Sequence, residues 1–232
     1  MGVVRRPTAS TVYPVPHAPG ILARGPWEPE QVTASWRSDE FSPAPPVIEA
    51  ADVALDGLRR RGSPSHDGLA ARLASFQAEA DGLYLELQPV RWAVRLVSEH
   101  AARSLSVLCL VRAADGSWLA GRRARWVASW AGRWFLGAGG SVEVDEDPTE
   151  ALTRELREEW SVDPVRLQIE ALLQLPSEVV LLVGQAWLRA GATVEPDHEH
   201  DEFAWWPAEI ERWPQEADEP LRRIGTLLAE AE

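Results

Sequence analysis

The sequence predicts an α/β (α+β) protein: an α/β/α sandwich with a mixed sheet over residues 99–232, preceded by a small α+β region over residues 1–98. Three observations predict it. Short apolar runs bounded by turn residues recur between 104 and 206, the signature of strands. One strongly helical segment, beginning at Asp147, is set among those runs. A second amphipathic pattern follows at 220–229. Strands interleaved with helices in this way bury their apolar faces as a layered sandwich.

Residues 1–47 carry Pro7, Pro14, Pro16, Pro19, Pro26, Pro29, Pro43, Pro45 and Pro46, and no apolar run long enough for the core of a signal peptide. Arg5-Arg6 lacks the hydrophobic region of a twin-arginine signal, and Met1-Gly2 lacks the Ser or Thr that myristoylation needs at position 6. A cytoplasmic location is therefore expected. From Val47 to Arg61, the spacing of Ile48, Val53, Leu55 and Leu58 predicts a short helix, stopped by Gly62 and Pro64. Residues 70–79 and 83–90 read as two β-segments joined by Ala80-Asp81-Gly82.

The second region is more regular. Residues 104–111 and 117–121 read as strands around the Ala113-Ala114-Asp115-Gly116 turn, and 167–175 and 179–188 as strands around Pro176-Ser177-Glu178. Residues 202–206 form a last short strand. Pro207 opens a helix through Trp213, and Pro220–Ala229 a final one, with Leu221, Ile224, Leu227 and Leu228 on one face.

Composition limits the function. The 232 residues are 45% hydrophobic and 25% charged, as in ordinary globular proteins. The longest apolar stretch, 179–187, is too short to span a bilayer. Lys+Arg 23 against Asp+Glu 36 gives a net charge of −13, which repels nucleic acid and anionic lipid. Neither is expected as a partner, and a polyanionic substrate would need a cation to mediate its approach. Cys109 is the single cysteine, so an intramolecular disulfide and a cysteine-based zinc site are excluded.

The informative stretch runs from Gly139-Gly140 to Val162. Asp147 is a good N-cap, Pro148 suits the first helical position, and Glu150 stands three beyond the cap, as in a capping box. At about 100° per residue, Leu152, Leu156 and Trp160 form an apolar stripe beside an acidic face of Glu155, Glu158 and Glu159. Like charges at i, i+3 and i+4 are mildly destabilising on a free helix, by a few tenths of a kcal/mol per pair. A divalent cation reverses that sign, and oxygen-only ligands favour Mg²⁺, with Mn²⁺ as the alternative.

Gly140, Glu146 and Arg154-Glu155-Leu156-Arg157-Glu158-Glu159 together resemble the Nudix box of Nudix hydrolases, with matching spacing. Six such matches in fixed register arise by chance on the order of once in ten thousand. One position departs: Ser161 stands where the family usually has Gly, a place that favours φ > 0. The looser pattern of flanking strands and Phe203-Ala204-Trp205-Trp206-Pro207 extends the likeness to residues 100–215.

The resemblance implies a loop–helix–loop against a mixed sheet, and Mg²⁺-dependent hydrolysis of a nucleoside diphosphate linked to another moiety, such as a nucleoside diphosphate sugar or ADP-ribose. Glu155, Glu158 and Glu159 would hold the metal, with the backbone carbonyl of Gly139 or Gly140, and Arg154 with Glu146 would orient helix and loop. The family's general base varies in position. Asp197-His198-Glu199-His200-Asp201-Glu202 is the candidate source, with Glu199 or Glu202 favoured within it, although a plain exposed acidic loop is the simpler reading of the segment. Arg122, Arg123 and Arg125 are candidates to grip the diphosphate, or form a solvated basic turn. Trp126, Trp130 and Trp134 are expected to pack under the loop, unless one stacks on a base or sugar. The alternative function is a non-catalytic Nudix-fold module that binds such a ligand. A weak likeness of residues 1–98 to the leading β-segments of larger nucleoside diphosphate sugar pyrophosphatases, which pair subunits, raises the prospect of a homodimer.

Overall fold

The computed structural model describes residues 13–14, 19–63, 67–98 and 100–229. Met1-Gly2, Arg5-Arg6, Pro7, Pro16 and the helix stop assigned to Pro64 lie outside the described residues. In chain order the elements are β1 (Tyr13–Pro14), β2 (Gly20–Trp27), β3 (Val32–Trp36), α1 (Pro45–Arg60), β4 (Leu69–Glu79) and β5 (Gly82–Arg91). There follow β6 (Leu105–Arg112), β7 (Trp118–Arg123), β8 (Trp134–Leu136), α2 (Pro148–Trp160), β9 (Arg166–Gln174), β10 (Val180–Trp187), β11 (His200–Trp206) and α3 (Glu219–Ala229).

A seven-stranded sheet has the order β11-β7-β6-β10-β9-β2, with β8 paired to β7 off that path. It is mixed because β10 runs parallel to β6 and antiparallel to β9. Every residue of β6 is buried, so both faces of the sheet are covered, and strand alternation divides them. Leu105, Val107, Cys109 and Val111 face a core that includes Leu152, Leu156 and Trp160 of α2. Leu108 and Leu110 face a second core with Trp118, Trp206, Trp213 and Leu221 and Leu228 of α3. The expected sandwich is present, with one helix on each face.

The remaining strands form a four-stranded sheet in the order β1-β4-β5-β3. It is joined to the rest rather than apart from it. Leu73, Leu83, Leu85 and Leu87 lie in the same core as Leu105 and Leu152. The backbone N–H of Ala71 donates to Val142 (2.9 Å) and that of Leu73 to Arg103 (2.9 Å). β2, from the first 98 residues, completes the larger sheet by pairing with β9.

Four strands and one helix depart from expectation. β1, β2 and β3 were not expected in the proline-rich stretch. Gly25 and Pro26 interrupt the apolar pattern of β2, and its pairing with β9 shifts register twice; an edge strand tolerates such residues because one side makes no ladder. β8 is three residues long, below the length at which alternation can be read. The helix expected over 207–213 is only a 3₁₀ turn, Ile210–Arg212. Trp213 is extended (ψ 148°), as a residue before proline prefers, and its indole packs into the second core.

Candidate active site

The Gly139-Gly140 loop runs along β6, where Cys109 N–H donates to the Ala138 carbonyl and Val107 N–H to the Gly140 carbonyl, each at 2.8 Å. It then leads into α2. The Asp147 carboxylate accepts from Thr149 N (2.7 Å) and Thr149 Oγ1 (2.8 Å), so Thr149, rather than Glu150, is the residue bonded to the cap side chain. At the other end Ser161 adopts φ 54° and ψ 38°. The left-handed turn usual for glycine is thus made by serine, at a cost of about 1 kcal/mol.

Arg154 is the hub of the loop–helix junction. Its guanidinium grips Glu146 bidentately (Nε–Oε1 2.6 Å, Nη2–Oε2 3.1 Å), donates to Glu155 Oε1 (2.7 Å) and Glu158 Oε2 (3.1 Å), and reaches the Ser141 carbonyl (3.0 Å). The pairing of Arg154 with Glu146 inferred from the resemblance is therefore present in the geometry. Gly140 contributes an absence. A Cβ there would sit 2.0 Å from Glu155 Oε1, so only glycine lets this carboxylate lie against the loop. Its carbonyl already accepts from Val107.

The three carboxylates of the acidic face do not share one environment. Glu155 and Glu159 are buried, whereas the Glu158 side chain is 58% exposed. Burial pushes the Glu155 carboxyl up to about 7, against the opposing charge of Arg154. Glu159 is raised well above the usual carboxylate range by burial, with Arg123 opposing and Glu155 and Glu199 adding to the rise. Both carboxyls lack enough positive charge to be comfortable as anions.

Beyond the helix, Arg123 is buried and committed, with Nη1 3.3 Å from Glu159 Oε1 and Nη2 2.8 Å from Glu199 Oε2. Arg122 pairs across the strands with Glu202 at 3.2 Å, both being substantially exposed, and Arg125 is exposed. Of the two candidate bases, Glu199 acts electrostatically on both Glu155 and Glu159, while Glu202 stays on the strand surface. His200 is buried against the Trp160 ring, 4.5 Å between centroids. Its Nδ1 meets Asp197 Oδ1 at 3.0 Å. A carboxylate only accepts, so Nδ1 carries the proton. Burial lowers the pKa of His200, and the neutral ring turns a bare Nε2 toward Glu159 Oε2, 3.7 Å away. Neither atom has a hydrogen-bond partner.

Among the described residues, no three His, Cys, Asp or Glu side chains stand together as a ready-made metal cage. The donors nevertheless fit Mg²⁺ or Mn²⁺ in chemistry: oxygen ligands, a partnerless buried Glu159 Oε2, and a loop shaped to receive the Glu155 carboxylate. Among the described residues, no helix is long and apolar enough to cross a membrane. Trp118, Trp134, Trp206 and Trp213 pack on one another with centroids 5.3–5.6 Å apart, so the half-buried Trp134 packs against the second core. Trp126 instead stacks on His198 (5.2 Å, 16°). Sequence reasoning missed Trp92 and Arg95, which both donate to Ser141 Oγ; no local pattern marks contacts across 49 and 46 residues.

No curated protein matches the chain. Among solved structures it is similar to the MutT protein of Methanosarcina mazei Go1, at 26% identity, over 56% of this chain and 95% of that one, with a TM-score of 0.43. It is also similar to the NUDIX domain of Shewanella oneidensis NrtR complexed with ADP ribose (18% identity, 56% and 88% covered, TM-score 0.46). A third is a C. elegans Ap4A hydrolase binary complex (22% identity, 54% and 94% covered, TM-score 0.43). A family model for the NUDIX domain matches residues 102–225, more than half of the chain, with the glycine loop, α2 and the His200 strand all inside it. The chain belongs to the Nudix family and is a hydrolase of that family.

Proposed function

We propose that this Nudix hydrolase is a Mg²⁺-dependent pyrophosphatase that attacks, with water, the diphosphate of a nucleoside diphosphate linked to another moiety, of the nucleoside diphosphate sugar or ADP-ribose type. The observation that carries this reading is the pair of buried carboxylates, Glu155 and Glu159, held against the glycine loop by Arg154 and Arg123. Buried carboxylates with raised pKa values favour either a proton or a cation. Glu155 and Glu159 would hold the metal, with exposed Glu158 joining from the solvent side. A bound divalent cation would neutralise diphosphate charge and lower the pKa of its water. Arg154 orients Glu155 and the loop, His200 faces Glu159, and Glu199 serves as the general base, its carboxylate held by Arg123. Glu202 is left as the partner of Arg122 at the rim, with Arg122 and Arg125 as outer contacts for phosphate.

Release of nucleotide or phosphate from a panel of nucleoside diphosphate compounds, with and without Mg²⁺, tests this. Mg²⁺-dependent turnover of at least one diphosphate compound is expected. No turnover across a broad panel would contradict it and favour a ligand-binding module.

A further inference from the structure

Phosphate is gripped best by arginine, whose planar fork offers two parallel N–H donors. Most arginines at this site are already engaged by carboxylates: Arg154 by Glu146, Glu155 and Glu158, Arg123 by Glu159 and Glu199, and Arg122 by Glu202. Arg95 differs. It lies in the 3₁₀ turn Trp92–Leu96, in the first 98 residues and before the family-matched segment. Its Nη1 donates to Ser141 Oγ, a hydroxyl that also accepts from Trp92 Nε1 at 3.1 Å. Ser141 directly follows Gly140, and its carbonyl accepts from Arg154. Arg95 therefore stands on the rim of the glycine loop, near enough for Glu155 and Arg123 to act on its charge. Among the described residues its one hydrogen bond goes to a neutral hydroxyl, which leaves a cation beside the carboxylate site with N–H groups uncommitted.

We propose that Arg95 is a substrate-binding residue, carried to the glycine loop by the first 98 residues, whose free N–H groups bind an oxygen of the substrate's diphosphate. The inference rests on the proposed diphosphate chemistry. It assigns the N-terminal region a part in recognition: Ser141 Oγ takes one corner of the guanidinium, whose carbon lies 5.8 Å from the Trp92 ring centroid, and the other N–H groups stay available to the substrate. It also answers a need of charge, since a diphosphate approaching a chain of net charge −13 gains from a cation that no carboxylate has neutralised.

Binding of inorganic pyrophosphate in the presence of Mg²⁺, measured by calorimetry, tests this together with steady-state kinetics on whichever compound the wild type hydrolyses. Arg95→Met keeps an apolar side chain of similar reach and removes the charge. It is expected to weaken pyrophosphate binding about tenfold or more and to raise KM more than it lowers kcat, with the Mg²⁺ requirement unchanged. Arg212→Met removes an exposed cation of the 3₁₀ turn Ile210–Arg212, away from the glycine loop, so its pyrophosphate affinity is expected to stay near wild type. Wild-type pyrophosphate affinity in Arg95→Met, or an equal loss in Arg212→Met, would overturn the assignment and leave Arg95 a docking residue. Should Arg95→Met fail to fold, Arg95→Lys, which keeps the charge without the fork, is expected to bind pyrophosphate several-fold more weakly, and equal binding would overturn the role. A wild type that turns over the panel while Arg95 variants are unaltered removes only Arg95. A wild type that neither turns over the panel nor binds pyrophosphate removes the diphosphate reading itself, and the role of Arg95 with it.

Discussion

Gly140 and Glu155 define the site at the scale of single residues. Because a Cβ at 140 would fall 2.0 Å from Glu155 Oε1, Gly140→Ala must displace either the carboxylate or the loop. Overpacking of this kind costs about 1–3 kcal/mol, and a shifted ligand should lower turnover by tenfold or more; thermal melts and kcat check the two effects separately. The raised pKa of Glu155 has a defined sign in stability. Between its ordinary value of 4.5 and about 7, the native chain holds a proton that the unfolded chain has released, so this group makes metal-free stability fall as pH rises. His200, lowered by burial, acts oppositely below 6.5. Comparison with Glu155→Gln cancels the His200 effect. In EDTA, the stability of wild type relative to Glu155→Gln is expected to fall from pH 4.5 to 7, and a difference constant with pH would contradict the burial of Glu155. Much of this residue-level chemistry is legible in the sequence, because the box fixes spacing along a single loop and helix. The proposed preference for Glu199 over Glu202 is not legible in the sequence, because it rests on which residue of β11 and its preceding loop lies beside Arg123.

The helix α2 is the element that the sequence specifies most fully. Its N-cap, its proline at the first turn and its Leu152–Leu156–Trp160 stripe are local features, and all three residues of the stripe are fully buried. Its end is less well served, since Ser161 holds φ 54° where glycine would carry less strain. Ser161→Gly is expected to raise stability by about 0.5–1 kcal/mol, the relief of left-handed strain less the entropy glycine loses, without loss of turnover. Denaturant melts check this, and a destabilised variant would contradict it. Elements held by distant partners were harder to read. β2 contains Gly25 and Pro26 and owes its form to β9, and the 207–213 segment follows Trp213 into the core rather than its own helical pattern.

Over the whole molecule, the first 98 residues and the family segment share one packing problem. Leu73, Leu85 and Leu87 bury against Leu105 and Leu152, Ala71 bonds to Val142, and β2 closes the edge of the larger sheet. A fragment of residues 99–232 would expose that core, and it is expected to lack a cooperative thermal transition by circular dichroism; a sharply melting fragment would contradict the shared core. None of this long-range joining was legible, because hydrophobic periodicity reports which face of a strand is apolar and not what covers it. The net charge of −13 acquires local meaning at this scale. On the proposed reading, the two buried carboxylates among arginines would draw a cation, and through it a polyanion. The most direct test is turnover of a hydrolysed nucleoside diphosphate compound in Mg²⁺ by wild type and Glu159→Gln. Removing one buried carboxylate is predicted to lower kcat by a hundredfold or more while the fold survives, and equal turnover in both proteins would contradict the assignment of Glu159 to the metal site.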